Sequence, residues 1–174
     1  TTRPLKDMVR ESIFNILEHS RNEKIKFKND VVLDLFSGSG SFGIECLSRG
    51  VKKVFFFENY KPSLKILEKN IKELEIDKNS VIREINAYEI SKENIDNEKI
   101  NLIYLDPPFK DKNINKLLRK ILDLKIAHKS TLIVIVEETQ QKKQKTKKQQ
   151  KQKNNKNNKQ NKKKHIRKHP KNTN

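Results

Sequence analysis

Short apolar runs alternate along this chain with stretches in which apolar residues recur at helical spacing. Runs rich in β-branched and aromatic residues predict buried strands at 31–36, 54–57, 81–85, 102–105 and 132–136. Amphipathic patterns predict three helices between or before them. Their apolar faces carry Val9, Ile13, Ile16 and Leu17; Leu64, Leu67, Ile71 and Leu74; and Ile114, Leu117, Leu118, Ile121 and Leu122. Strands separated by helices predict an α/β fold with a parallel sheet and right-handed crossovers.

The first predicted strand runs into a glycine-rich turn, Ser37-Gly38-Ser39-Gly40-Ser41-Phe42-Gly43, which a helix at 44–49 follows. Glycines let the backbone turn sharply and approach a ligand closely. The next strand ends at Glu58, where an acidic residue grips the ribose diol in nucleotide-binding α/β units. The three glycines also fit the dinucleotide pattern of dehydrogenases. Two features count against a dehydrogenase: Asp34 lies within the strand before the glycines, and no candidate hydride-transfer His or Lys follows in a second domain. We therefore favour a different nucleoside cofactor.

A second candidate site follows the run at 102–105, where the chain reads Asp106-Pro107-Pro108-Phe109. Two prolines fix φ and hold the turn rigid. The Asp106 carboxylate and the Pro107 carbonyl can accept hydrogen bonds from an exocyclic amine, and the Phe109 ring can stack on a flat base. The simpler alternative is a tight proline turn against which Phe109 packs. Both candidate sites fall at the carboxyl ends of parallel strands, so we expect them at one edge of the sheet.

Several motifs together carry a family resemblance that runs from residue 1 to about residue 138. The stretch 32–40 resembles the S-adenosylmethionine loop of class I methyltransferases, and Asp-Pro-Pro-Phe resembles their amino-methylating motif. The N-terminal Arg3-Pro4 and Val9-Arg10-Glu11-Ser12-Ile13-Phe14-Asn15 are more particular. With Gly43-Ile44-Glu45-Cys46-Leu47-Ser48-Arg49-Gly50 they resemble the bacterial 16S ribosomal RNA guanine-N2 methyltransferases of the RsmD type.

The resemblance implies a Rossmann-like class I methyltransferase fold, a three-layer sandwich, with S-adenosyl-L-methionine as cofactor and no metal. It implies cofactor contacts from Asp34, Phe36, Gly38 and Gly40 to the methionine part, from Glu58 to the ribose, and from Asn86 and Ala87 to the adenine. The guanine amine would be received by Asp106, Pro107, Pro108 and Phe109. The implied partner is ribosomal RNA or the assembling small ribosomal subunit. We expect a cytoplasmic monomer that does not associate with membranes.

Charge is distributed unevenly along the 174 residues, whose formal net charge is +18. Residues 140–174 hold 15 of the 40 basic residues and none of the 22 acidic ones, which leaves the preceding part at only +3. We therefore expect a methyltransferase domain over 1–138, incomplete at both ends and without the terminal hairpin of its fold. Residues 139–174 are expected to be a disordered basic tail. A frameshift through an A-rich gene explains such a tail better than an RNA-binding extension does.

Three functions remain open at this point. The leading one is methylation of guanine N2 in 16S ribosomal RNA. The same slot could accept adenine N6 or a protein glutamine N5, because each is a planar amine. The third possibility is a non-catalytic RNA-binding product of a damaged gene. The four histidines and Cys46 show no spacing typical of a metal site.

Overall fold

A computed structural model describes residues 3–19, 26–108 and 111–136, with the side chains of the first helix described from residue 7. It contains one five-stranded sheet in the order β3-β2-β1-β4-β5, in which every neighbouring pair is parallel. The strands are β1 (Val31–Leu35), β2 (Lys53–Phe57), β3 (Ser80–Arg83), β4 (Leu102–Leu105) and β5 (Leu132–Ile135). The helices are α1 (Arg3–His19), α2 (Ser41–Ser48), α3 (Lys61–Glu73) and α4 (Ile114–Asp123). The prediction of a parallel α/β sheet is therefore confirmed.

The order of the strands creates a switch point between β1 and β4. From β1 the chain builds outward through β2 to β3, and it then returns to add β4 and β5 on the other side. Asp34 in β1 lies opposite Phe56 in β2 and Tyr104 in β4. Crevices for ligands form outside the carboxyl ends of strands at such a point. The turns after β1 and β4 are therefore neighbours at one edge, as the sequence predicts.

Helices cover both faces of the sheet. One apolar core contains residues of α1, α2 and α3 packed on the inward side chains of that face, among them Val32, Val54, Phe56, Leu102 and Tyr104. The other contains Leu117 and Ile121 of α4 and the alternate strand residues, among them Leu33, Leu35, Phe55, Phe57, Ile103 and Leu105. Buried on both sides, β1 and β4 are apolar almost throughout, which is typical of central parallel strands. This is the three-layer arrangement predicted from the sequence.

An aromatic stack fixes α1 on the sheet. The Phe14 ring stacks on Phe42 of α2 with centroids 5.0 Å apart, and Phe42 stacks on Tyr104 of β4 at 3.7 Å. The Arg49 guanidinium lies 4.4 Å from the centroid of the Phe14 ring and pairs with Glu18 and Glu45. The cation over the Phe14 ring and the ion pair with Glu18 join the end of α2 to α1, and Glu45 of α2 holds the same guanidinium.

The predicted inward faces of the helices need three corrections. Ile16, Leu74 and Leu122 are 68%, 55% and 59% exposed. In α1 the buried positions are Phe14 and Leu17, because Phe14 rather than Ile16 meets the stack on Phe42. Leu74 is the C-cap residue directly after the last residue of α3, and its side chain is exposed. Leu122 lies beside the buried Ile121 but points away from the sheet.

Element ends also differ from the predicted ones. Helix α2 begins at Ser41, three residues before the predicted start, because Gly40 already accepts the Ile44 N–H. Strand β3 ends at Arg83 instead of 85. The polar segment 88–97 contains no α-helix; 3-10 turns at Ala87–Glu89 and Glu93–Ile95 occupy it. Within the described residues β5 is an edge strand, while the predictions for residues 139–174 and for the hairpin lie outside them. None of the described helices is long and apolar enough to cross a membrane.

Candidate active site

The glycine turn after β1 has a tightly wound backbone. Phe36, Gly38 and Gly40 have φ of 63°, 57° and 79°, in the left-handed region. The Ser37 hydroxyl donates to the Asp34 carbonyl at 2.7 Å, and the Ser37 N–H donates to the Phe57 carbonyl at 3.0 Å. These bonds tie the turn to the ends of β1 and β2. A non-glycine residue at positive φ is uncommon, and such strain concentrates at ligand sites.

Glu58 supports this turn from the end of β2. Its Oε2 accepts the Gly38 N–H at 2.7 Å, and its Oε1 accepts the Tyr60 N–H at 2.7 Å. The side chain is buried, and its own backbone N–H donates to the Arg83 carbonyl at the end of β3. The predicted ribose residue thus lies against the glycine turn, between β1 and β3. Its carboxylate holds two loop backbones in fixed positions.

Asp34 is the most deeply buried acid of the site. It is 1% exposed, its Oδ2 accepts the Gly43 N–H at 3.1 Å, and its Oδ1 has no hydrogen-bond partner among the described residues. Burial raises the pKa of Asp34 to about 7, against an opposing effect of the Gly43 hydrogen bond. The charges of Asp106 and Glu58 contribute to the same rise. Asp106 and Glu58 are therefore close enough for their negative charges to act on Asp34. Three acidic side chains at one edge favour a ligand with positive charge.

The Asp106 turn stands beside the glycine turn. The Asp106 N–H donates to the Leu35 carbonyl at 3.4 Å, and Pro108 closes the turn by accepting the Asp111 N–H at 3.0 Å. Asp106 and Pro107 are half-buried, and Pro108 is exposed. Phe109 lies outside the described residues, so its predicted stacking on a base stays a prediction.

Tyr104 lies in β4 just before this turn. Burial raises the pKa of its hydroxyl, and the charges of Asp106 and then Asp34 add to that rise, whereas Arg10 opposes it. Arg10 of α1 therefore lies within electrostatic reach of this edge, while its guanidinium pairs with Asp7 at 3.0 Å. Asn15, from the same N-terminal motif, is exposed.

Asn86 and Ala87, the predicted adenine contacts, lie shortly after the end of β3. The Asn86 side chain accepts the Tyr88 N–H at 3.1 Å and so caps the 3-10 turn. Ala87 is 3% exposed and packs in the same core as Phe57. The structure therefore brings the predicted cofactor residues to one edge, where Asn86 and Ala87 have structural contacts as well.

Tyr88 and Asp111 are two further residues of this region that were not predicted from the sequence. The Tyr88 hydroxyl donates to the Asp111 carboxylate, and the Tyr88 ring lies edge-on to Phe36 with centroids 5.8 Å apart. Burial first, and then the Asp111 hydrogen bond, raise the pKa of Tyr88. The only signal in the sequence was the position of Tyr88 directly after Asn86-Ala87. Its partner lies 23 residues further on, so spacing could not reveal the pair.

The residues present fit a cationic nucleoside cofactor. Asp34 offers a buried acceptor oxygen without a partner, and Glu58 offers a carboxylate beside the glycine turn. A side chain at Gly40 would meet Leu67 Cδ1 at 2.3 Å, so glycine is needed there for packing against α3, whereas nothing lies within 4 Å of a Cβ at Gly38. Among the described residues, no group of three or more His, Cys, Asp or Glu side chains is arranged to hold a metal ion.

Comparison with known proteins identifies the family. The family described as Conserved hypothetical protein 95 matches residues 1–167. The chain is 33% identical over 135 residues to YlbH of Bacillus subtilis, which is assigned as an rRNA methyltransferase, covering 77% of this chain and 70% of the relative. It is 32% identical over 139 residues to Ribosomal RNA small subunit methyltransferase D of Buchnera aphidicola from Acyrthosiphon pisum, covering 80% and 69%.

A solved structure agrees with the sequence matches. The protein assigned as methyltransferase yhhF from Escherichia coli superposes with a TM-score of 0.61 and 25% identity, over 78% of this chain and 70% of that one. The fold, the family match and both relatives point the same way, and the family and fold imply the use of S-adenosylmethionine. The chain therefore belongs to the Conserved hypothetical protein 95 family, the RsmD-type methyltransferases, and has their Rossmann-like fold.

Proposed function

We propose that this protein transfers a methyl group from S-adenosyl-L-methionine to the exocyclic N2 amine of a guanine in 16S ribosomal RNA. One observation carries the proposal. The glycine turn with Glu58 and the turn that begins at Asp106 lie side by side at one edge, because β1 and β4 are paired in register. A cofactor at the first turn and an amine at the second would meet between them.

The cofactor side of the site is assigned from contacts and charge. Glu58 would accept hydrogen bonds from the ribose hydroxyls while it keeps the Gly38 N–H in place. Asp34, whose buried Oδ1 has no hydrogen-bond partner among the described residues, would balance the positive charge of the methionine part. Phe36, Gly38 and Gly40 would form the wall of that pocket, and Asn86 and Ala87 would flank the adenine. When bound, S-adenosylmethionine supplies a methyl group that is already activated on a sulfonium.

The amine side of the site is assigned to the residues of the Asp-Pro-Pro-Phe turn. Asp106 and the Pro107 carbonyl would accept the two N–H groups of the guanine amine, and Phe109 would stack on the base. The lone pair of this nitrogen is delocalised into the ring, so acceptors that fix its geometry raise the electron density available on it. They also stabilise the positive charge that develops on the nitrogen. As the new N–C bond forms, the bond between the methyl group and sulfur breaks and its electron pair stays on sulfur as a thioether. The nitrogen loses one proton, which water can take.

Positioning is the main task left to the protein in this reaction. Holding the amine in line with the activated methyl group removes much of the orientational entropy barrier. Two prolines and a tied glycine turn supply that rigidity from two strands. The name of the Buchnera relative, Ribosomal RNA small subunit methyltransferase D, supports ribosomal RNA as the substrate. The proposed acceptors at Asp106 and Pro107 would also suit other planar amines, and a substrate test separates them.

The test uses the full chain with methyl-labelled S-adenosylmethionine and small ribosomal subunits that lack N2-methylguanosine. Naked 16S ribosomal RNA, adenine-containing DNA and a glutamine peptide are assayed in parallel. We expect label in the subunit or its RNA, and nucleoside analysis should find it as N2-methylguanosine. Label in N6-methyladenine or in the peptide would overturn the guanine assignment. Cofactor binding in calorimetry without transfer to any of the four would support a non-catalytic protein.

A further inference from the structure

Tyr88 is in contact with both halves of the site. Its ring lies edge-on to Phe36 of the glycine turn, at 5.8 Å between centroids and 61° between planes. Its hydroxyl donates to Asp111, and its carbonyl accepts a hydrogen bond from Lys120 of α4 at 2.8 Å. The residue itself sits in the 3-10 turn that Asn86 caps. One half-buried side chain therefore joins the cofactor side to the segment that follows the Pro-Pro turn.

Asp111 passes this contact on to the Pro-Pro turn. While Oδ2 accepts the Tyr88 hydroxyl, Oδ1 accepts the Asn113 N–H at 2.8 Å. The Asp111 N–H donates to the Pro108 carbonyl at 3.0 Å. Asp111 is thus joined to Pro108 by a backbone hydrogen bond and to Tyr88 by its side chain. A hydroxyl bonded to a carboxylate is a strong anchor.

We propose that Tyr88 is a positioning residue, whose hydroxyl holds Asp111, and through the Asp111 N–H the Pro108 carbonyl, in register with the glycine turn so that amine and cofactor meet at a fixed geometry. The inference rests on the proposed function. It adds that order on the adenine side of the site is transmitted to the amine slot through Phe36, Tyr88 and Asp111. The raised pKa of Tyr88 agrees with this, because the hydroxyl keeps its proton and stays a donor.

The decisive variant is Tyr88→Phe, which keeps the ring on Phe36 and removes only the hydroxyl. Asp111→Ala removes the acceptor from the other side. Asp123→Ala is the matched control, since Asp123 is an exposed aspartate at the far end of α4. Melting temperature is recorded for all three, so that a loss of fold is recognised.

Hydrogen–deuterium exchange in the free protein tests the anchor without any assay of activity. The reporters are the amides of Asp111 and Asn113, which donate to the Pro108 carbonyl and to Asp111 Oδ1. In Tyr88→Phe we expect both to exchange about tenfold faster or more, the change that follows from losing a hydrogen bond to a charged group. Asp123→Ala should leave them unchanged. Equal exchange in wild type and Tyr88→Phe would overturn the proposal.

Methyl transfer and cofactor binding then test the consequence for the site. In Tyr88→Phe we expect kcat to fall by between about tenfold and a hundredfold, as for a misplaced reactant, while the Kd for S-adenosylmethionine stays within about twofold. In the Tyr88→Phe background, Asp111→Ala should add only the effect of losing its separate bond to the Asn113 N–H, so the two losses of kcat should combine to less than their product. Losses that multiply, or a parallel loss of cofactor affinity and melting temperature, would contradict the positioning role. A wild type that binds cofactor without methylating RNA refutes the proposed function, while the exchange experiment still decides the anchor.

Discussion

The Glu58 carboxylate accepts the Gly38 N–H at 2.7 Å across 20 positions of the chain. The same carboxylate accepts the Tyr60 N–H, so one buried side chain sets the backbone of the glycine turn and the start of α3. The residue proposed to bind the ribose therefore also builds the pocket around it. Loop order and ligand contact depend on the same two oxygens.

Removing this carboxylate should abolish most cofactor binding. In Glu58→Ala both backbone donors lose their partner, which costs about 1–3 kcal/mol each when the groups are buried. We expect the Kd for S-adenosylmethionine in calorimetry to rise by at least about tenfold and the melting temperature to fall. Glu58→Gln keeps one acceptor oxygen, so its Kd and melting temperature should lie between those of wild type and Glu58→Ala. Glu68→Ala, at an exposed position of α3, is the control and should match wild type. Unchanged affinity in Glu58→Ala would remove Glu58 from the site.

Asp106 should separate catalysis from cofactor binding. In Asp106→Ala the proposed acceptor for the amine is lost, and mutations of such preorganised groups reduce kcat by about a hundredfold to a thousandfold. The Kd for S-adenosylmethionine should remain close to that of wild type, because the glycine turn and Glu58 are untouched. Single-turnover transfer and calorimetry measure the two quantities. A large loss of cofactor affinity together with transfer would contradict the division of roles between the two turns.

Gly38 and Gly40 of the glycine turn should tolerate alanine differently. Both have positive φ, which costs an alanine about 1–2 kcal/mol. A Cβ at Gly40 would also meet Leu67 Cδ1 at 2.3 Å, and Leu67 is fully buried, whereas nothing lies within 4 Å of a Cβ at Gly38. We expect Gly40→Ala to lower the free energy of unfolding by about 1–3 kcal/mol more than Gly38→Ala does, since overpacking adds to strain. Urea denaturation measures the difference, and equal losses would show that Leu67 moves aside freely.

The buried Asp34 should make both stability and cofactor affinity depend on pH. Its pKa is raised from an ordinary value of 3.8 to about 7 in the folded protein. Between these values the folded state holds a proton that the unfolded state has lost, so this group lowers stability as pH rises from about 4 to 7 and has no further effect above that range. Asp34→Asn should weaken this decline in urea denaturation curves recorded across the interval. A decline of the same size in the variant would assign the pH dependence to another group.

Cofactor affinity should change in the opposite direction with pH. A cationic ligand favours the ionised carboxylate, so the affinity for S-adenosylmethionine should fall by up to about tenfold for each pH unit below 7. Calorimetry of wild type and Asp34→Asn from about pH 5.5 to about pH 8 tests this. A flat profile in wild type would show that Asp34 is not charged next to the cofactor.

Much of the fold could be predicted because the signals were local. Each β-rich run became a strand to within two residues, and Pro62 lies at the start of α3 as a helix-initiating proline should. The helix faces were less reliable, since Phe14 and Ile16 are both apolar and only the stack with Phe42 selects Phe14. In the segment 88–97, polar spacing gave no preference, and contacts to neighbouring elements produced 3-10 turns.

By itself the sequence determined the class of fold, the family and the edge at which the chemistry is expected. It could do so because strand runs, a glycine turn and a Pro-Pro turn are written in consecutive residues. The tertiary structure alone decided which distant groups meet: Gly38 with Glu58, Asp34 with the charges of Asp106 and Glu58, and Tyr88 with Asp111. The physical reason is that strand order and register bring such groups together, and neither the hydrogen bonds nor the pKa of Asp34 exist until the sheet has formed.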